Sequence, residues 1–410
     1  MTIEIRPCAD RDEMKTYGDI VSYVFASNER EDVSEELAST QPEWTTCAFV
    51  DGRMATTLGA FPFTVRLNGA PVPMAGVTAV GTLPQYRRQG LLRRVMDAAF
   101  DQMHERGQPF AILWASMGAI YQRFGYGLAS EQSVYSFDPR FAGFEREAPV
   151  AGTITLESRD DAYPIMKQNY IEHATPRNLM IHRAAALWEA AVLRPAKKGY
   201  PVYHAIYRDQ SGNARGHVVY RTEDGDGGAD FRPGPGQTLN VRDYIALDLD
   251  AYRALWNFVR GHDLVGRVRM WNALPPDDAA QDLLLEPRML ERRTLDGIWM
   301  RVIDVEAGLP RRPYGARGEL TFTIAGDEMC DWNNGTYLLE TDGTTTEVQR
   351  RERAPDLVMP VATLATLVSG LRTATHMSRI GKLEAASPEA LERADALFRT
   401  TYLPHCPDGF

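Results

Sequence analysis

The stretch GVTAVGTLPQYRRQGLLRRV, residues 76–95, decides how the chain is read. Its first seven residues, Gly76 to Thr82, are small, β-branched and apolar, as a strand requires. Pro84 breaks the run, and Arg87-Arg88-Gln89-Gly90 leads into a segment where Leu92, Val95, Met96, Ala99, Phe100 and Met103 recur at helical spacing. Gly107 ends that helix, and Phe110 to Trp114 makes a second apolar strand. The order is strand, loop, helix, strand, with a glycine at the helix start. A helix N-terminus presents free backbone N–H groups and the positive end of the helix dipole, so it suits a phosphate. Glycine lets the backbone come close to such a group. Arg87, Arg88, Arg93 and Arg94 cluster here in a chain whose formal net charge is −10. A solvated helix face after a simple turn is the plainer reading of an isolated Arg-x-x-Gly. The ordered strand, loop, helix and strand favour an anion site.

Outward from this unit, a weaker echo follows. Asp243 to Leu247 has the character of a strand; Leu249, Tyr252, Leu255, Trp256 and Val259 mark a helix; Val265 to Met270 is strand-like again. No Arg-rich, glycine-containing loop joins that strand to that helix, so the echo is read as a duplicated domain that kept its fold and lost its cofactor site. Between the two, an apolar helix is expected from Asn178 to Leu193, and the Gly- and Asp-rich segment 224–230 reads as a solvated loop. A third composition begins near Leu295. Strands are expected at Gly297–Val305 and Glu319–Ile324, a tight turn at Asn334-Gly335, and a helix capped by Ser387-Pro388 that carries Leu391, Ala394, Leu397 and Phe398. Tyr402 to Phe410, with two prolines and a glycine, is expected not to be helical.

The bulk properties exclude several classes. A chain of 410 residues is too long for one ordinary core and implies two or three domains. The cysteines Cys8, Cys47, Cys330 and Cys406 form no Cys-x-x-Cys pair, and no His-Glu-x-x-His helix is present, so neither a disulfide framework nor a metal site is expected. The acidic balance disfavours nucleic acid and suits a cationic partner. No apolar run is long enough to span a membrane, and Met1 to Met14 lacks the hydrophobic centre of a signal peptide, so a soluble cytoplasmic protein is expected.

Residues 76–95 resemble the acetyl-CoA signature of the GNAT acetyltransferases, Arg/Gln-x-x-Gly-x-Gly/Ala. Arg87 and Gly90 match, while Leu92 stands where the last small residue is usual. That departure is similar to the Eis-like acetyltransferases, which commonly carry Arg-Gly-Leu-Leu-Arg in this place. The resemblance implies acetyl-CoA as co-substrate. Its pyrophosphate would rest on Arg87, Arg88, Gly90, Leu91 and Leu92, its pantetheine arm would pair with Val80 and Thr82, and Ser116 would line the same cleft. The segment Ile120 to Gly127, IYQRFGYG, also resembles the Eis-like pattern, and Tyr121 matches the family's catalytic tyrosine. A phenol within hydrogen-bond reach of the thioester can protonate the departing CoA thiolate. An ordinary core tyrosine is the alternative, and the place of Tyr121 just after the second strand favours the functional role.

In Eis-like proteins the C-terminal carboxylate takes the proton of the incoming amine, and the chain here ends Pro407-Asp408-Gly409-Phe410. By resemblance the Phe410 ring would anchor the terminus and its carboxylate would be the base, through water. Phe25 matches an aromatic residue of the family's substrate pocket. The acids after it, Glu29, Glu31, Asp32, Glu35 and Glu36, would attract a polycation or form a solvated face. Ser27 stands where the family often has an acid.

The resemblance covers the whole chain and implies a mixed α/β (α+β) fold of two tandem GNAT-type domains, the second degenerate, followed by a sterol-carrier-protein-like α+β domain. The spans are 1–145 for the active domain, 146–294 for the degenerate one, and 295–410 for the last, with the catalytic C-terminus. The implied function is direct acetyl transfer to a primary amine of a polyamine-like or aminoglycoside-like small molecule, with no metal, no nucleic acid, no membrane and a hexameric homo-oligomer. The alternatives are a protein lysine N-acetyltransferase and a non-catalytic lipid or acyl-CoA carrier.

Overall fold

The computed structural model describes residues 2–26, 40–147, 151–195, 200–224 and 234–410. The chain divides into two compact units. One comprises Met1–Ser130, Gly297–Pro404 and Phe410; the other comprises Glu131–Asp296 and His405–Gly409.

Along the chain, the first unit opens with β1 (Ile3–Arg6), α1 (Arg11–Val24), β2 (Cys47–Val50), β3 (Arg53–Leu67), β4 (Ala70–Thr82), α2 (Leu91–Glu105), β5 (Phe110–Trp114), α3 (Gly118–Gln122) and β6 (Gly127–Leu128). α1 starts where the Asp10 carboxylate accepts the N–H groups of Asp12 and Glu13. α2 buries Val95, Met96, Ala99, Phe100 and Met103, as expected from the periodicity, against Ala48, Leu58, Ala75 and Ala111 of the sheet, but in its first turn the buried residue is Leu91, and the expected Leu92 is half-buried.

The second unit follows with β7 (Glu131–Phe137), β8 (Thr153–Glu157), α4 (Arg159–Ala174), α5 (Ala185–Ala190), β9 (Tyr203–Arg208), β10 (Ala214–Glu223), β11 (Gln237–Ala246), α6 (Leu249–Arg260), β12 (Val265–Trp271) and β13 (Arg293–Asp296). Its sheet runs β13-β7-β12-β11-β10-β9-β8. α4 packs Ala162, Met166 and Tyr170 with Ile206, Val219 and Ile245. α6 packs Ala251, Leu255, Trp256 and Val259 with Ala205, Val218 and Leu239. The sheet is thus covered on both faces.

The chain then returns to the first unit with β14 (Ile298–Val302), which enters the first sheet in the order β1-β2-β3-β4-β5-β14-β6. β15 (Gly318–Ile324), β16 (Gly335–Thr341), β17 (Thr346–Arg350), β18 (Leu357–Met359), α7 (Val361–Ser369), α8 (Ala374–Arg379), β19 (Glu384–Ala385) and α9 (Pro388–Phe398) complete it. The last strands form a five-stranded sheet, β17-β16-β15-β18-β19. α9 begins as expected, with the Ser387 side chain accepting from Ala390 N and proline at the first position.

Four expectations need correction. The helix expected from Asn178 to Leu193 is helical only over Ala185–Ala190. Its first half is drawn out of helical pairing because Asn178 O accepts from His405 N at 2.9 Å, Ile181 O accepts from the Tyr170 hydroxyl at 2.7 Å, and Leu179 sits at φ +64°. The strand expected at Gly297–Val305 as part of the third composition is Ile298–Val302, hydrogen-bonded between β5 and β6. β7, inside the first expected span, lies in the second sheet. Asn334-Gly335 is not a two-residue hairpin. A 3-10 turn at Asp331–Asn333 precedes it, and Gly335 at φ +147° opens β16. Residues 225–230 of the expected solvated loop lie outside the described residues. Among the described residues no helix is long and apolar enough to cross a membrane, and no group of three or more His, Cys, Asp or Glu side chains could hold a metal ion.

Candidate active site

β4 and β5 are parallel neighbours for three residue pairs only, Met74–Gly76 with Phe110–Ile112, and separate beyond them. A bulge helps to turn β4 away. Thr57 pairs with Gly81 and Gly59 with Thr78, so Leu58 faces both Ala79 and Val80. Ala79 takes φ +52°, and its carbonyl accepts from Thr57 Oγ1 at 2.8 Å. Strands that diverge leave backbone and side chains facing open space, and here that space is a cavity of about 790 Å³.

The cavity collects almost every residue singled out in the sequence. β4 gives Val80 and Thr82; the loop gives Arg87, Arg88 and Gly90; α2 gives Leu91 and Leu92; the segment after β5 gives Ser116 and Tyr121; the end of α1 gives Phe25. Arg88 and Gly90 both have left-handed backbone, at φ +62° and +76°. Two such residues in a tight loop curl successive N–H groups toward one side, a concavity suited to an anion. A Cβ on Gly90 would meet nothing within 4 Å, so conformation rather than space calls for glycine there. Arg87 Nε donates to Thr82 O at 3.0 Å, tying the loop to the end of β4. Arg93 reaches Glu328 at 3.0 Å, but both side chains are exposed and the pair adds little. Leu92, the residue that departs from the signature, is half-buried and packs on the core beneath the cavity.

Tyr121 is 6% exposed, and burial raises its phenol pKa, which keeps it protonated and able to donate. It sits on the single turn of α3, and its carbonyl accepts from Phe124 N at 2.9 Å and Tyr126 N at 3.3 Å. Phe25 caps α1 and is 48% exposed at the cavity. Ser27, Glu29, Glu31, Asp32, Glu35 and Glu36 lie outside the described residues.

Phe410 is the one predicted residue absent from the cavity lining. Its ring meets Phe63 of β3 edge-on at 5.0 Å, and the row continues through Phe61 to Trp44, at 5.7 and 6.0 Å. Phe63 lies over Gly76, where a Cβ would be 2.2 Å from Phe63 Cε2. Gly76 is the last residue of β4 paired with β5, so Phe410 packs at the level where the two strands part. Phe61 and Phe63, two apart on a strand and hence on one face, were the available signal for this row; they were not singled out in the sequence.

The second unit shows what became of the equivalent cleft. β11 and β12 are also parallel, and their last pair is Val241 with Met270. Just past it, Asn272 Nδ2 donates to Cys406 O at 2.7 Å, and His405 Nε2 is 3.1 Å from Asn272 O. Arg183, fully buried, binds Asp243 of β11 at 2.8 and 3.0 Å and Asp408 at 2.7 Å; Tyr170 also donates to Asp408 at 3.2 Å. Arg183 and His217 hold the Asp243 carboxyl well below the usual range, whereas burial pushes Asp408 up. The chain's own tail therefore enters the space past the last parallel pair, and Pro407 and Asp408, with Val241, Arg242 and Trp271, line the smaller cavity of about 480 Å³ that remains there.

Residues 4–129 match an acetyltransferase (GNAT) domain, residues 179–302 match a second acetyltransferase (GNAT) domain, and residues 305–407 match a sterol carrier protein domain. An uncharacterized N-acetyltransferase of Streptomyces griseus is 30% identical over 388 residues, 92% of each chain. N-acetyltransferase Eis of Mycobacterium tuberculosis is 28% identical over 80% of this chain and 78% of its own. Among solved structures, Eis1 of Mycobacterium abscessus is 27% identical and superposes with a TM-score of 0.85 over 99% of this chain and 100% of its own.

Proposed function

Because the chain belongs to the Eis-like family of GNAT N-acetyltransferases, and is therefore an acyltransferase that uses acetyl-CoA, we propose that it moves the acetyl group directly to a primary amine of a polyamine-like or aminoglycoside-like molecule. One observation carries the reading: ten of the residues singled out, from α1 through Tyr121, line one cavity between two diverging strands. The left-handed backbone at Arg88 and Gly90 and the start of α2 fit a pyrophosphate, and the freed edge of β4 at Val80 and Thr82 fits an amide-bearing arm. Bound there, acetyl-CoA would supply an activated thioester.

The protein's own groups would move the protons. The amine nitrogen attacks the acetyl carbon, the carbon–sulfur bond breaks, and the Tyr121 phenol gives its proton to the departing sulfur. The ammonium proton passes to the Phe410 carboxylate through water. Tyr121 is suited to donation because burial favours its neutral form. Phe410 is suited to its role because its ring packs at the level where β4 and β5 part. The same reading takes the first domain as active, the second as degenerate and the last as sterol-carrier-like, in a cytoplasmic hexamer; family resemblance supports these assignments.

The test is thiol release from acetyl-CoA across a panel of polyamines and aminoglycosides, with wild type, Tyr121→Phe and a chain lacking Phe410. Amine-dependent release should fall roughly 10²-fold or more in both variants. Acetyl-CoA binding without release to any amine refutes the small-amine assignment.

A further inference from the structure

The segment Phe124-Gly125-Tyr126-Gly127 follows Tyr121 directly, and the proton transfers above make no use of it. Both glycines are imposed by neighbours from the C-terminal third of the chain. A Cβ on Gly125 would lie 3.0 Å from Cζ and Nε of Arg301 and 2.9 Å from Val361 Cγ1. One on Gly127 would lie 1.9 Å from Ala362 O. The turn after Tyr121 thus rests on the Arg301 guanidinium and on the start of α7.

Arg301, on β14, is wholly buried. Asp327, in the connection between β15 and β16, accepts from its Nη2 with both carboxylate oxygens, at 2.6 and 2.7 Å. Asp327 is itself fixed by the N–H groups of Met329 and Cys330, at 3.3 and 3.1 Å, and by Asn333 Nδ2 at 3.2 Å. The guanidinium lies 5.4 Å from the Phe100 ring of α2. Arg301 Nε and Nη1 and the Tyr126 hydroxyl are buried with no hydrogen-bond partner among the described residues. The Tyr126 ring meets Tyr121 edge-on at 5.9 Å. The guanidinium and the Tyr126 hydroxyl are thus both buried at the turn that carries the two tyrosines.

A buried ion pair seldom stabilises a fold more than apolar side chains of the same size would. What this pair does supply is a rigid, flat support of fixed orientation under a glycine turn. We propose that Arg301, held by Asp327, is a positioning residue for Tyr121: it fixes the Tyr121–Tyr126 turn so that the phenol faces the reacting thioester. Acetyl transfer thereby depends on Asp327 from the last domain, independently of the C-terminal carboxylate. The inference rests on Tyr121 being the proton donor.

The experiment compares kcat, KM for acetyl-CoA and thermal stability for Arg301→Met combined with Asp327→Leu, made in wild type and in Tyr121→Phe. Removing both charges strands neither. In wild type, kcat should fall roughly 10- to 100-fold, as misplacing a reacting group does, while KM stays within about twofold. In the Tyr121→Phe background the same change should lower kcat by less than about twofold, because the support acts only through the tyrosine. Equal losses in the two backgrounds, or no loss in wild type, overturn the proposal. Should the double variant not fold, Arg301→Lys, which keeps the charge but not the flat support, is read by the same non-additivity. A Tyr121→Phe enzyme with wild-type kcat refutes the donor assignment. A slow Tyr121→Phe enzyme beside a fast pair variant refutes the positioning inference alone.

Discussion

His405 should make the second unit acid-sensitive well above the carboxylate range. It is 5% exposed, and burial lowers its pKa from 6.5 to about 4. Its Nε2 faces Asn272 O at 3.1 Å, so the ring is held neutral with the proton on that nitrogen. A histidine whose folded pKa is depressed favours the folded state at pH above 6.5, and that contribution is lost as pH falls toward 4. Each pH unit in that window is worth about 1.4 kcal/mol, so about 2 kcal/mol should be lost between pH 6.5 and 5. His173, lowered to about 3 by burial, acts in the same direction, which makes the wild-type dependence steeper than one proton's worth. The assay is urea denaturation of the full chain at half-unit intervals from pH 7.5 to 4.5, for wild type and His405→Gln. The glutamine amide can still donate to Asn272 O but takes up no proton. The variant should unfold with about one proton fewer bound per molecule, flattening the dependence by about 1.4 kcal/mol per pH unit. Identical slopes for the two proteins would sink the reasoning.

Other outcomes follow from the same geometry. Asp243→Asn removes the bidentate partner of the buried Arg183 and should destabilise the second unit by about 3–5 kcal/mol, read by thermal denaturation; a loss below about 1 kcal/mol contradicts the network. Gly90→Ala forces a side chain into left-handed backbone at about 1–2 kcal/mol. It should raise KM for acetyl-CoA more than it lowers kcat, and Gly90→Asn should recover part of the effect. Calorimetric titration with acetyl-CoA should give one site per chain, because the tail residues Pro407 and Asp408 occupy part of the second cleft and narrow it to about 480 Å³; two equivalent sites would refute that obstruction.

The local parts of this molecule were legible because their causes are local. The apolar spacing of α2, the glycine before it and the apolar run at Phe110–Trp114 each depend on neighbours a few residues away, and the structure places them as read. The cavity residues could be grouped because strand, loop, helix and strand are consecutive. What was illegible depends on distant partners. Arg183 and Asp408 are 225 residues apart, and nothing near Arg183 indicates that its segment leaves helical pairing to receive a carboxylate from the tail. The exchange of β7 and β14 is equally hidden. β7 alternates as an ordinary half-buried strand and β14 is buried along its whole length, and which sheet each joins is set by which open edge remains, not by its own side chains. Arg301 is a single charge within the apolar run of β14, and only the folded chain brings it against Gly125.

The insertion of β14 between β5 and β6 also sets a timetable for biosynthesis. Until Val302 has emerged, β5 has β4 on one side and an open edge on the other, although four of its five residues belong in the core. At 5–20 residues per second that interval lasts roughly 10 to 40 s for a chain on the ribosome. An apolar edge exposed for so long is a template for pairing with another nascent chain. The acetyltransferase domain is therefore not a module that can be cut out after residue 129. A fragment ending there should aggregate, whereas one that restores residues 297–302 through a short linker has its missing strand.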